Sequence, residues 1–292
     1  MNQDFEINFN YAIIQDNGKS FSNDKDVVIV SEDANGVAIE TQTSMTAGTC
    51  YGVKATKYIT INDKTGETVE AVTAKRKDNQ YWFKNAALTR YRCAEMTCLS
   101  IKMLHGQPRR VGFIGTGKTN LDNCIMINKM YGVEDIVIRG SKRNLAKNAG
   151  DYMAVCKNVS IDTSDGMKLM NECDVVVVCT SSYKKDEMIS AGMLSGPKLI
   201  VCLDCGYYLD ESFRRNRVSV CDSPKQLTAH YKDEFPFDES EYEFRQMDYF
   251  AVDKNEKAVV YLYGVAIADA VAADRLVRRL EMDGMEKVFL QR

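Results

Sequence analysis

The chain has 292 residues, 45% hydrophobic and 27% charged, with a formal net charge of −3. That length suits two domains, and so balanced a charge gives no reason to expect nucleic acid or an anionic membrane as a partner. No apolar run reaches the length of a membrane span, and the acidic start Met1-Asn2-Gln3-Asp4-Phe5-Glu6 lacks the basic and apolar regions of a signal peptide, so a cytoplasmic protein is expected.

Through Ile61 the chain alternates apolar and polar positions, as in Asp26–Val30, Gly36–Glu40 and Tyr51–Ile61. Val, Ile, Thr and Tyr at period two, punctuated by Asn17-Gly18 and Asn35-Gly36, predict antiparallel strands. Asp63–Glu67 is a turn and Thr68–Ala74 a returning strand. From Ala86 to Leu104 the period becomes helical, with Leu88, Tyr91, Glu95, Cys98, Leu99, Lys102 and Met103 on one stripe. His105-Gly106-Gln107-Pro108 stops that helix and serves as the linker.

Beyond Arg109 the pattern turns into repeated strand–helix units. Strands are predicted at Val111–Ile114, Asp135–Arg139, Asn158–Ile161, Cys173–Cys179, Lys198–Leu203, Arg217–Cys221 and Ala258–Tyr263. Helices are predicted at Leu121–Tyr131, Asn144–Met153, Asp165–Asn171, Leu209–Asn216 and Val265–Met282. The run Cys173–Cys179 is apolar on both sides except for Asp174, as expected of a central strand covered by helices on both faces. The predicted class is α/β: a Rossmann doubly wound sheet over 108–264, plus an N-terminal α+β domain over 1–107 against which the C-terminal helix, 265–292, packs back. The charged and aromatic stretch Pro224–Tyr249, with its acidic segment Asp233–Glu243, reads as a surface excursion.

The segment around which this organisation turns is Val111-Gly112-Phe113-Ile114-Gly115-Thr116-Gly117-Lys118-Thr119-Asn120. A buried strand that becomes a helix within a few residues needs Gly115 for the turn. It needs Gly117 for close approach of backbone to a pyrophosphate, which the free N–H groups of a helix start attract. Gly115, Thr116, Gly117, Lys118 and Thr119 are therefore cofactor-binding candidates, joined by Thr180 after the central strand. The second strand ends in Ile138-Arg139-Gly140-Ser141-Lys142-Arg143, where an acid would bind both ribose hydroxyls of NAD. No acid is present. Arg139, Ser141, Lys142 and Arg143 suit a 2′-phosphate instead, so NADP is expected in preference to NAD. The alternative is that these are solvated residues opening the next helix.

Ten cysteines are scattered, most within apolar runs, which suits reduced and buried thiols. Cys202-Leu203-Asp204-Cys205 has metal or redox spacing, but no second pair or neighbouring histidine completes a ligand set, and packing at a strand end is the simpler reading. With only His105 and His230 in the chain, no metal site is expected.

Four pieces of sequence, in order, resemble the ornithine cyclodeaminase/mu-crystallin family of nicotinamide-dependent amino- and imino-acid enzymes. They are Gly52-Val53-Lys54, Arg92–Leu104 running directly into Val111–Gly117, Leu203-Asp204-Cys205-Gly206 followed by Leu209-Asp210-Glu211, and Tyr263-Gly264-Val265-Ala266-Ile267-Ala268-Asp269. The resemblance implies that Lys54 and Arg92 bind the substrate α-carboxylate and that Asp204 is the catalytic carboxylate, with Lys54 beside it. It also implies a homodimer formed through the N-terminal sheet. Residue chemistry agrees: a lysine and a fork-shaped guanidinium suit a carboxylate, and Asp204 follows a strand at the sheet edge where ligands bind. Plainer roles stand beside these: Lys54 as an exposed strand residue, Arg92 as a helix ion pair, Asp204 as a loop cap.

Departures from the family pattern are specific. Asn120 stands where a small residue is usual, and Thr119 replaces a glutamine. No arginine occurs between residues 10 and 50, and a Gly-Arg signature is missing before Tyr263. The expected function is an NAD(P)-dependent oxidoreductase acting at the Cα–N bond of a small amino or imino acid. The alternatives are an ornithine cyclodeaminase-type lyase and a crystallin-like nucleotide-binding protein with little catalysis.

Overall fold

The computed structural model describes residues 26–33, 36–44, 53–61, 68–76, 79–180, 188–204, 206–222, 245–246, 256–262, 268 and 272. The chain divides into two compact units, one built on Cys93–Tyr263 and the other on Asn8–Arg92 with Gly264–Arg292. The division falls inside the helix that the sequence reading placed wholly before its linker. The expected packing of the C-terminal helix lies outside the described residues, apart from Ala268 and Ala272, both helical and buried.

The first sheet is an antiparallel meander, β1 (Asp26–Asp33), β2 (Gly36–Ser44), β3 (Val53–Ile61), β4 (Thr68–Arg76) and β5 (Asn79–Lys84), paired in that order. Asp33 of β1 pairs with Gly36 of β2, the tight hairpin that the Asn35-Gly36 signal predicts. Strand β5 was not read from the sequence; its aromatic run Tyr81-Trp82-Phe83 directly adjoins a helix start and has no period of its own. Helix α1 (Asn85–Leu104) follows at once and ends as His105 and Gly106 donate their N–H groups to the Ile101 carbonyl.

The second sheet has eight strands: β6 (Arg110–Ile114), β7 (Asp135–Arg139), β8 (Asn158–Ile161), β9 (Val175–Val178), β10 (Leu199–Cys202), β11 (Val218–Cys221), β12 (Arg245–Gln246) and β13 (Ala258–Tyr261). Their spatial order is β8-β7-β6-β9-β10-β13-β11-β12, and every pairing is parallel. Chain order runs outward in one direction from β6 to β8 and in the other from β9 to β10, beyond which the last strand, β13, is inserted between β10 and β11. The boundary between β6 and β9 is therefore the point where connections diverge and a crevice opens at the carboxyl edge. All four valines of β9 are fully buried, as are Val111, Phe113, Val137, Ile200 and Val259. A side chain of that size contributes about 1.5–3 kcal/mol on burial.

Helices α2 (Lys118–Tyr131), α3 (Lys142–Val155) and α4 (Ser212–Asn216) complete this unit. Ser141 caps α3 by accepting the Asn144 N–H at 3.3 Å, and Gly132 closes α2 in a left-handed conformation. One predicted helix is corrected. Asp165–Asn171 is not helical; it is a series of turns ending in a short 3₁₀ segment, Met170–Glu172. The Asp162 carboxylate accepts the N–H groups of Ser164 and Met170, while Met167 sits at φ 50°, and together these divert the backbone from helix.

Candidate active site

Ile114, Val178 and Cys202 lie in register across β6, β9 and β10, so Thr116, Thr180 and Asp204, each two residues further on, leave the sheet at the same edge. The chain turns at Gly115, with φ 89° and an N–H donated to the Arg139 carbonyl at 2.8 Å. A Cβ here would stand 2.0 Å from the Cys179 carbonyl oxygen, so the turn from β6 is pressed against the end of β9. Only glycine meets both conditions.

Gly117 is different in kind. It caps α2 in ordinary extended geometry, makes no side-chain cap, and has nothing within 4 Å of where a Cβ would be. An uncapped start to a fourteen-residue helix, with open space beside its first residue, is where an anion can reach backbone N–H groups. Gly117 and Lys118 are exposed and Thr119 is half-buried. Thr119 hydrogen-bonds the Cys179 thiol, whose pKa is pushed up to about 12, chiefly by burial and also by the charge of Asp204. Thr116 faces inward. Its carbonyl accepts the Asn148 amide at 2.7 Å, and its buried side chain packs close to Gly140, where a Cβ would make a tight contact 3.2 Å from Oγ1.

Asn120 has a part that the sequence did not disclose. Fully buried, it donates its side-chain amide to the carbonyls of Ile114, at 2.9 Å, and Gly115, at 2.7 Å. The polar residue that stands where a small one is usual ties the helix to the strand end. The signal lay in its spacing, five and six residues past the two carbonyls at which the strand ends.

At the end of β7 the four predicted residues separate. Arg139 is half-buried and turned to the next loop, donating to the carbonyls of Ser164, at 2.7 Å, and Asp162, at 3.4 Å, and standing 3.9 Å from the Asp162 carboxylate. Ser141, Lys142 and Arg143 are exposed at the start of α3. Asp162, which sequence reading passed over, is a buried anchor. Burial opposes its charge, but hydrogen bonds from Ser164 and Met170 and the charge of Arg139 hold its carboxyl below the usual range.

Asp204 lies just beyond β10. Its Oδ2 accepts the Thr180 hydroxyl at 2.6 Å and the Thr180 N–H at 3.1 Å, and its Oδ1 accepts the Gly206 N–H at 3.2 Å. Gly206 has φ 77°, and a Cβ on it would lie 2.4 Å from the buried Tyr261 ring, so this donor is fixed in place. Burial raises the Asp204 pKa, opposed by the bonds from Thr180 and Gly206 and by its own backbone N–H. A carboxyl so placed changes charge more readily near neutrality than an exposed aspartate, as acid–base work requires.

In the other unit, Lys54 is the second residue of β3, opposite Ser44 of β2 and Lys75 of β4. Arg92 is a buried residue of α1. Asp269, in the closing motif of the resemblance, and Cys205 lie outside the described residues. Among the described residues, no cluster of His, Cys, Asp and Glu could hold a metal ion.

No family model matches the chain. A stretch of 116 residues is 28% identical to Δ1-pyrroline-2-carboxylate reductase 1 of Burkholderia multivorans; it covers 39% of this chain and spans 36% of that relative's length. Two solved structures match over most of both chains. The Δ1-pyrroline-2-carboxylate reductase of Thermococcus litoralis, in complex with NADH and L-proline, has a TM-score of 0.65 at 15% identity, over 89% of this chain and 87% of its own. A lysine cyclodeaminase that recognises L-lysine, L-ornithine and L-2,4-diaminobutyric acid has a TM-score of 0.68 at 14% identity, over 94% and 84%. The chain therefore has the fold of these pyrroline-2-carboxylate reductase and cyclodeaminase structures. The Rossmann class expected from sequence, and the resemblance read from four separated motifs, both agree with it.

Proposed function

We propose that this chain is a nicotinamide-dependent oxidoreductase acting at the Cα–N bond of a small amino or imino acid. The observation that carries this reading is Asp204: a carboxyl with a raised pKa, fixed by three donors, at the carboxyl edge of the Rossmann sheet where β6 and β9 diverge. The dinucleotide fits the residues present. Gly115 makes the turn, Gly117 leaves open space at an uncapped helix start, and Thr116, Lys118, Thr119 and Thr180 flank them. Bound there, the nicotinamide supplies the hydride acceptor or donor. Asp204 takes a proton from the substrate nitrogen or from water in one direction and returns it in the other, while Lys54 and Arg92 receive the α-carboxylate.

We further propose a preference for NADP over NAD. The end of β7 has no acid, and Ser141, Lys142 and Arg143 are exposed together at the start of α3. Arg139, also a candidate for the phosphate, donates to the Ser164 carbonyl and stands beside Asp162, which supports a larger share of the phosphate contact for its three exposed neighbours. A homodimer formed through the first sheet, which would make the N-terminal unit the substrate and dimerisation domain, follows from the family resemblance. A cytoplasmic setting suits the eight free thiols among the described residues.

The likeness to a lysine cyclodeaminase supports a second reading, a lyase that regenerates its cofactor within each turnover. One assay separates the two. NADPH and NADH oxidation is followed with cyclic imino acids, and NADP⁺ and NAD⁺ reduction with L-proline, L-alanine, L-ornithine and L-lysine. Net absorbance change supports the oxidoreductase. Ammonia release from L-ornithine or L-lysine with no net change supports the lyase, and neither outcome with any of these compounds overturns both.

A further inference from the structure

Cys124 of α2 and Cys156, the residue that ends α3, meet in the packing between the two helices. Their sulfurs lie 3.6 Å apart, both residues are buried, and both thiols are free. The Cys156 thiol also lies 3.6 Å from the Val133 carbonyl, which can only accept, so Cys156 is the donor in that bond. Cys124 is then the donor between the two thiols, and the Asn128 amide stands 4.0 Å from the same Cys156 sulfur. Donors gathered on one sulfur favour its thiolate. The hydrogen bond from Cys124 holds Cys156 below the ordinary thiol value, against burial and the charge of Glu134, while the same bond and burial raise Cys124. Cys98, Cys173 and Cys179, by contrast, are all raised chiefly by burial.

We propose that Cys124 and Cys156 form an oxidation site: a hydroperoxide oxidises Cys156, and Cys124 resolves the product into a disulfide that a thiol reductant reopens. The site is independent of the reaction proposed around Asp204. With hydrogen peroxide, the Cys156 thiolate attacks one peroxide oxygen. The S–O bond forms, the O–O bond breaks, and the leaving hydroxide takes the proton that Cys156 gave up, as water. The product is a sulfenic acid. The Cys124 sulfur then attacks the Cys156 sulfur. The S–S bond forms, the S–O bond breaks, and the departing hydroxide leaves as water with the Cys124 proton. Two thiols give up two electrons, and one peroxide becomes two waters.

The surroundings favour this order of events. Cys156 lies just under the surface, with Met153, Ala154, Lys157 and Asn158 exposed on either side of it, so a reagent as small as a peroxide has a short path to its sulfur. Bonding brings the sulfurs to about 2.05 Å, an approach of about 1.5 Å. That movement falls on a helix end: Cys156 has extended backbone, and its N–H is given to the Tyr152 carbonyl. The disulfide ties α2, which starts at the glycine turn, to α3, whose Asn148 donates to the Thr116 carbonyl of the same turn. It therefore braces the two helices of the turn and closes a loop between residues 32 apart.

The test treats the full chain, reduced and freed of reductant, with stoichiometric hydrogen peroxide, then blocks the remaining thiols by alkylation and maps the peptides by mass spectrometry. The expected product is a peptide pair joined at Cys124 and Cys156, lighter by two hydrogens, and dithiothreitol is expected to restore both thiols. The oxidised chain is expected to melt about 5 °C or more above the reduced one. Cys124→Ser is expected to leave Cys156 as a sulfenic acid that dimedone traps, and Cys156→Ser to leave Cys124 unmarked. The proposal is overturned if both thiols stay free, if Cys156 passes to sulfinic acid without linking, or if dimedone marks Cys124 in Cys156→Ser. A link that forms only in urea, or an oxidised chain that melts below the reduced one, overturns it as well, because the native packing then resists the bond. The wild-type map needs no substitution, so the test stands even where a variant fails to fold.

Discussion

The Asn120 side chain donates to the Gly115 carbonyl at 2.7 Å, so the first turn of α2 is tied to the same glycine whose strained backbone ends β6. In nucleotide-binding turns of this kind a small residue usually allows helix and strand to approach. Here a hydrogen-bonded amide does so. Asn120→Ala removes the bonds to both Ile114 and Gly115. The Ile114 carbonyl still accepts the Cys179 N–H at 3.0 Å, so the loss is partial. A destabilisation of about 1–2 kcal/mol is expected, read as a lower midpoint in urea with an unchanged slope. An unchanged midpoint would mean that the amide adds nothing beyond filling space.

Gly115 and Gly117 are expected to fail in different ways when changed to alanine. At Gly115 the new Cβ meets the Cys179 carbonyl at 2.0 Å and the backbone has φ 89°, so folding itself is impaired. At Gly117 the backbone is ordinary and the space is open, so the variant should melt within a degree or two of wild type, as surface changes generally do. Its loss should appear in dinucleotide binding, at about tenfold or more, because the methyl occupies the space beside the helix start. Paired thermal melts and fluorescence titrations with NADPH check both. Tight binding by Gly117→Ala would move the pyrophosphate away from this helix.

Much of this was legible in the sequence for a physical reason. Parallel strands buried on both faces write continuous apolar runs, and β7 was read to the residue while β6, β9 and β10 were read to within two at either end; the exposed edge strand β8 was also read to the residue. Where the sequence reading erred, side chains had captured the backbone. The Asp162 carboxylate takes the Met170 N–H eight residues on, so a stretch of helical composition becomes turns. The pairing of Thr180 with Asp204 joins residues 24 apart on two strands, which no local period reveals. Likewise, the contacts of Arg139 with Ser164 and Asp162 depend on how β8 ends, which no local pattern shows.

Asp204→Asn keeps the shape of the site and removes its capacity to carry a proton. Turnover is expected to fall by about 10²–10⁴-fold, the usual range for loss of a general acid–base group, with NADPH affinity little changed. Steady-state kinetics on whichever substrate the panel identifies, alongside cofactor titration, measures both. A variant that loses cofactor binding and activity together would make Asp204 a structural cap.

Charge reversal at the start of α3 tests the cofactor preference. Lys142 and Arg143 are exposed there, so Lys142→Glu with Arg143→Glu leaves the core untouched. The double variant should weaken NADPH binding by about tenfold or more and leave NADH within about twofold, because charge-assisted bonds to a phosphate contribute more than neutral ones. Weakening by added salt, strong for NADPH and slight for NADH, should parallel it. Tighter NADH than NADPH binding in the wild type would show that the cations merely open a solvated helix.

Asp162 is expected to contribute to the response to acid. Its folded-state pKa lies below the usual carboxylate value, held there against burial by bonds from Ser164 and Met170 and by the Arg139 charge. A depressed carboxyl stabilises the folded chain fully above the unfolded pKa, about 3.9. That contribution drains away as pH falls from there through the folded pKa. Asp162→Asn removes the charge at every pH, leaving the Met170 and Ser164 donors with a poorer acceptor and Arg139 with backbone carbonyls but no opposite charge. The variant should lose about 1–3 kcal/mol at pH 7, and its stability should then decline less steeply than that of wild type below about pH 4. Urea unfolding at a series of pH values measures both. Parallel acid limbs in the two proteins would assign the acid sensitivity of this unit to another carboxylate, Asp174 being the next, since it accepts the Arg109 and Arg110 N–H groups and is likewise depressed.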